Sequence, residues 1–160
     1  RLVASMIHLV DSEQLPKLLL STRALCDGIL LTRHSSVHLE MGHSLIRLID
    51  ECPNVDKSIF GRKEPGEKQR PVKLMVEFNE RRMVEGSLGM LILSTKEFLE
   101  NQSNDEAKQA VLVALKLLRH IAEDCADSIL KHDAEQVLST IGNVIPEALD
   151  VLAFIESFST

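Results

Sequence analysis

The sequence predicts an all-α domain, and three observations carry that prediction. Apolar residues recur at three- and four-residue intervals through most of the chain, the spacing that lines one face of a helix. No stretch alternates apolar and polar residues for the length of a strand. Aromatic residues make up only 3%, with no Trp and no Tyr, against 44% apolar residues in all. The core must therefore be built from Leu, Ile, Val, Ala and Met, which suit helix-on-helix packing better than a sandwich or barrel. A chain of 160 residues is long enough to bury roughly 70% of its unfolded surface in one domain.

Taken in order, residues 1–10 place Leu2, Val3, Met6, Ile7 and Val10 at helical spacings. Asp11 or Ser12 can cap the next helix, with Pro16 in its first turn. That helix is expected to run to about Leu31 on an inner face of Leu18, Leu19, Leu25, Cys26, Ile29 and Leu30. After a turn at 32–36, Ser36 can cap a third helix with the stripe Val37, Met41, Leu45, Leu48, Ile49 and Cys52, stopped by Pro53. Residues 61–71, GRKEPGEKQRP, hold two Pro, two Gly and six charges and read as a loop. One helix is expected over about 72–84 and another over about 88–100, with Gly86 and Gly89 loosening the junction. Leu88, Leu91, Ile92, Phe98 and Leu99 share a face of the second.

The strongest local signal is Ser103-Asn-Asp-Glu106, a capping box in which the Ser oxygen and the Glu carboxylate each satisfy a free backbone N–H. The helix it starts is apolar over a wide arc: Ala107, Ala110, Val111, Ala114, Leu115, Leu117, Leu118, Ile121, Ala122 and Cys125. Its polar strip is Lys116, Arg119, His120 and Glu123. An arc that wide implies more than one neighbouring helix. Asp133 with Gln136 makes a second box-like start, Gly142-Asn143 breaks the chain, and Pro146 opens a final helix. That helix presents Ile145, Leu149, Leu152 and Ile155, with Phe154 and Phe158 beside them. Seven or eight helices are expected, in pairs recurring at roughly 35–45 residues.

Charge narrows the function. The net charge is −6. Residues 1–80 carry 11 basic and 11 acidic side chains, and residues 81–160 carry 7 and 13. A nucleic-acid-binding domain needs a basic face to neutralise phosphates, so no nucleic acid is expected as partner. Cys26, Cys52 and Cys125 are odd in number and widely spaced, with no CxxC pair. They read as reduced thiols of a cytoplasmic or nuclear protein. No apolar run approaches the ~18 residues of a membrane helix, no secretory signal pattern is present, and no membrane partner is expected. The chain opens on Arg1 inside an apolar stretch, which reads as an excerpt of a longer protein.

Residues 104–145, with Ala110, Ala114, Leu115, Leu118, Ile121 and Ala122 at packing positions after a charged cap, resemble an armadillo or HEAT-type unit. The resemblance covers about a quarter of the chain. It implies one domain over 1–160 built as a right-handed stack of antiparallel helix pairs, using one exposed face to hold a protein partner. A closed helical bundle is the alternative. The TOG sub-family binds tubulin through loops along one edge, and Arg62, Lys63, Lys68 and Arg70 would form such a basic loop, interleaved with Glu64 and Glu67.

No chemically armed cluster emerges. His38 and His43 are five apart, and His34 precedes the expected cap. A helical zinc site wants ligands one turn apart on one face, so these read as surface histidines. The three thiols fall on apolar stripes and read as inert. Acidic residues occur singly on polar faces or at helix starts, where they suit the helix dipole. Gly86-Ser-Leu-Gly89 lacks the strand and the Lys-Ser/Thr of a phosphate loop. No catalytic, cofactor or metal site is expected, and so no enzyme. The expected function is a non-catalytic protein–protein interaction scaffold. The candidate contacts are Arg62, Lys63, Lys68, Arg70, the doublet Arg81 and Arg82, and the ridge residues Lys116 and Arg119. A TOG-like tubulin-binding module, or a bundle for oligomerisation or cytoskeletal adaptation, are the alternatives.

Overall fold

The computed structural model describes residues 15–32, 34–51, 55–56, 68–69 and 71–159. Six α-helices pack against one another in this region: α1 Leu15–Leu31, α2 Ser35–Glu51, α3 Pro71–Glu100, α4 Asp105–Leu130, α5 Ala134–Ile141 and α6 Glu147–Glu156. The class is all-α. Two short strands, β1 Val55–Asp56 and β2 Lys68–Gln69, pair antiparallel, with Val55 opposite Gln69 and Asp56 opposite Lys68. They tie together the ends of the charged segment between α2 and α3. The helix expected over residues 1–10 lies outside the described residues.

Three local expectations need correction. The helices expected over 72–84 and 88–100 are one 30-residue helix, α3. Pro71 supplies its first position, where no N–H is needed. Gly86 and Gly89 do not break it, because both face α1: a Cβ on Gly86 would meet the Cβ of Cys26 at an ordinary contact distance of 3.4 Å, and one on Gly89 would lie only 2.8 Å from Leu30 Cδ2. Second, Asn104 caps α4 in place of Ser103, its side chain accepting from the Ala107 N–H at 3.1 Å. Asx oxygens reach the third helical N–H as well as a Ser hydroxyl does. Third, Asp133 precedes α5 in the left-handed region at φ 59° and makes no side-chain cap.

The helices meet in a regular order. In the first hairpin α2 folds back on α1, placing Met41 against Gly28. α3 lies parallel to α1, with Cys26 against Gly86 and Leu30 against Gly89. It runs antiparallel to α2, with His38 beside Ser94 and Gly42 against Met90. α4 folds back along α3 and also packs on α2, where Val113 meets Gly42. α5 packs on α3, α6 packs on α4, and the two contact each other.

α4 is the centre of the core. All ten residues of its expected apolar arc are buried, joined by Val113, Ala126 and Ile129. A helix apolar on three sides needs neighbours on three sides, and α2, α3 and α6 supply them. Small residues along the arc let those neighbours approach closely. On α3, Leu88, Leu91 and Phe98 are buried, but Ile92 and Leu99 are each 48% exposed. In the last helix Leu152 and Ile155 are buried while Leu149 is half-exposed. Leu18, Leu19, Ile49 and Cys52 lie outside the residues whose side chains are described.

Candidate interaction surface

One end of the hairpins is tied by buried polar groups. His38 is buried, and its Nε2 lies 3.0 Å from both the Ile29 and Thr32 carbonyls. A nitrogen facing two carbonyls must carry a proton, and the other ring nitrogen, Nδ1, lies within hydrogen-bond reach of the Ser94 hydroxyl at 3.4 Å. His38 is therefore a structural tie between α1, α2 and α3, and not the surface histidine expected from the sequence. Ser35 donates to Glu97 Oε2. The other oxygen of Glu97 accepts from Asn104 Nδ2 at 3.2 Å. His34 and His43 are exposed. Among the described residues no group of three or more His, Cys, Asp or Glu is placed to hold a metal ion.

Cys26 and Cys125 are fully buried. Burial pushes each thiol up to about 12, reinforced by Asp27 at Cys26 and by Glu80 and Asp124 at Cys125. Arg82 opposes this at Cys26 without reversing it. Both thiols stay protonated at neutral pH, where only the thiolate is a nucleophile.

The eight candidate contacts fall into three groups. Arg62, Lys63 and Arg70 lie outside the described residues, and of Lys68 the structure describes only its place in β2. Arg81 and Arg82 stand within the continuous α3, far from its end. Both are engaged. Arg81 Nε donates to Glu85 at 2.9 Å one turn away. That hydrogen bond holds the Glu85 carboxyl below the usual carboxylate range and raises the guanidinium. Arg82 Nε donates to Asp27 on α1 at 3.1 Å.

Lys116 and Arg119 are brought together with residues that the sequence reading had not linked to them. Both are exposed and border a recess of about 260 Å³ between α4 and α6, whose other wall carries Glu147 and Asp150. The Arg119 guanidinium lies 4.2 Å from the centre of the Phe154 ring. Phe154 is itself set edge-on against Phe158 at 5.0 Å. Arg119 thus rests on an aromatic face instead of closing onto the carboxylates. No ion pair within 4 Å joins Lys116 or Arg119 to Glu147 or Asp150.

A larger groove of about 550 Å³ runs between α3 and α5. Ile92, Leu99, Val137 and Ile141 line it, with Lys96 and Glu100 on its rim. The register of α3 held the signal for it. Once α3 is one helix, the buried stripe runs through Met83, Val84, Leu88, Leu91, Ser94, Thr95 and Phe98, which leaves Ile92 and Leu99 at its edge.

Among the described residues no helix is long and apolar enough to cross a membrane. No protein-family model matches the chain, and no curated protein or solved structure matches it either.

Proposed function

We propose that this chain is a non-catalytic protein-interaction domain that holds its partner along the exposed side of α4 and α6. One observation carries the reading. Lys116 and Arg119 face Glu147 and Asp150 across an open recess without pairing with them. Exposed charges fixed on helices and not neutralised by each other offer a partner complementary contacts at little reorganisation. Cys26 and Cys125 are buried and protonated, and His38 is taken up by structural hydrogen bonds, so these three groups serve packing and not turnover.

We read the six helices as three hairpins in an armadillo- or HEAT-like arrangement. First helices of successive hairpins lie on one another, α1 on α3 and α3 on α5, and so do the second helices, α2 on α4 and α4 on α6. Stacked hairpins produce that order and present the second helices as one continuous face.

The test is affinity capture from cell lysate with the 160-residue chain, followed by titration of whatever binds. In the double variant Lys116→Glu/Arg119→Glu, affinity should fall by at least tenfold, since like charges placed across an interface repel strongly. The melting temperature should fall only slightly, through the lost contact of Arg119 with the Phe154 ring and the added acidic charge facing Glu147 and Asp150. A partner bound equally well by the variant, or one lost only when Arg81 and Arg82 are reversed, would place recognition elsewhere.

A further inference from the structure

We propose that the groove between α3 and α5 is where a second copy of this chain docks, in a two-fold symmetric dimer separate from the partner face on α4 and α6. The groove is aliphatic and open, and no described residue fills it. Ile92 and Leu99 stand half-exposed along it, two turns apart. Contiguous exposed apolar surface rimmed by polar residues marks an interaction site more often than chance scatter does. Beneath it lies Thr95, only 6% exposed, whose hydroxyl has no hydrogen-bond partner among the described residues.

The charges on the rim select the occupant. Whatever covers this groove must bring aliphatic side chains about two turns apart, with a pair of opposite charges one turn apart beside them. The exposed stripe of α3 is such a segment: Ile92, Lys96, Leu99 and Glu100. A two-fold axis running between Lys96 and Glu100 sets Lys96 of one copy against Glu100 of the other, and the reverse by symmetry. A self-complementary patch of this kind is what an isologous interface requires. Neither Lys96 nor Glu100 makes an ion pair with a described residue within its own copy. The chain carries a net −6, so two copies repel over most of their surface. The Lys96–Glu100 rim is locally neutral and is where that repulsion is weakest.

Sedimentation equilibrium of the 160-residue chain, from micromolar to near-millimolar concentration, tests this. A monomer–dimer equilibrium is expected. Lys96→Glu and Glu100→Lys should each weaken it on the order of tenfold, because each places like charges face to face twice. The double variant K96E/E100K exchanges the charges but stays complementary about the axis, and it should recover the wild-type equilibrium. Ile92→Asp should give a monomer that still unfolds in one cooperative transition, since the side chain is already half in water. A strict monomer over the whole range overturns the proposal. So does a double variant no better than the single ones, or a dimer indifferent to Ile92→Asp. None of these outcomes bears on the α4–α6 reading, which is tested with a different protein bound.

Discussion

The turn end of the hairpins and their aliphatic middle are held together by different physics. At the turn end, Ser35, His38, Ser94, Glu97 and Asn104 link α2, α3 and the start of α4 through hydrogen bonds spanning up to 62 residues of sequence. In the middle, α4 contributes Leu117, Leu118 and Ile121, all fully buried, to one aliphatic core. Hydrogen bonds are directional, and each contributes little net stability while being costly to leave half-made. Aliphatic burial is non-directional and large. The middle therefore supplies most of the stability, and the polar end sets how the helices are placed relative to one another.

The largest expected effect lies in the middle. Ile121 is fully buried on the central helix α4. Ile121→Ala should cost about 2–5 kcal/mol, the range for truncating a buried aliphatic side chain whose surroundings cannot collapse. Urea denaturation followed by far-UV circular dichroism would measure it. A loss under 1 kcal/mol would mean that the middle is loosely packed.

His38→Ala tests the other side of the comparison, at about 2–4 kcal/mol. It leaves a cavity and strips the donor from the Ile29 and Thr32 carbonyls, where α1 has run out of its own N–H groups. His38→Gln, which can restore one of those bonds, should recover part of the loss. Equal losses for the two variants would show that the ring acts by volume alone, which would erase the distinction between the two regions.

Close approach of backbones is a third device, and Gly42 sits where the two regions meet. A Cβ there would lie 2.6 Å from Val113 Cγ1 and 3.0 Å from Met90 Cε. Val113 is β-branched and stiff on its own helix, so Gly42→Ala should cost about 1–3 kcal/mol by overpacking. A neutral result in the same denaturation assay would show that α2 can move away from α4.

The sequence made the middle legible and the polar end largely opaque. The arc of α4 could be read in full because burial on that helix follows a simple apolar pattern. His38 and Ser94 stood on no such pattern. Their roles depend on carbonyls and hydroxyls brought together across 56 residues, which local reading does not reach. The split of α3 into two helices came from treating Gly86 and Gly89 as breakers. A glycine costs a helix only about 1 kcal/mol, and packing against α1 outweighs that. The same misreading hid the groove, because Ile92 and Leu99 look internal only when their segment is considered alone. Glu147 and Asp150 read as first-turn residues of the last helix. Nothing local marked them as the wall opposite Lys116 and Arg119.

Asn104→Ala should cost about 1 kcal/mol, the usual cost of losing an N-cap, and it separates two contributions. Asn104 both caps α4 and donates to Glu97, which in turn accepts from Ser35. Asn104→Ser keeps a capping oxygen and removes the donor to Glu97, so it should recover most of the loss if the cap dominates. Ser103→Ala should be close to neutral, because Ser103 is exposed and its neighbour does the capping.

One expected effect is a gain, and it sharpens the contrast between close approach and slack. Gly86 has its nearest neighbours at 3.4 and 3.5 Å from where a Cβ would be, which is ordinary contact distance. It lies inside α3, where glycine carries its full backbone-entropy cost and no positive φ requires it. Gly86→Ala should therefore stabilise the fold by about 0.5–1 kcal/mol, while Gly42→Ala on the neighbouring helix destabilises it. The two variants make the same chemical change in two helices of one core, and only the distance to the facing side chain differs. If both destabilise, α1 and α3 are packed as tightly at Cys26 as α2 and α4 are at Val113, and the glycines of α3 serve the interhelical contact and nothing else.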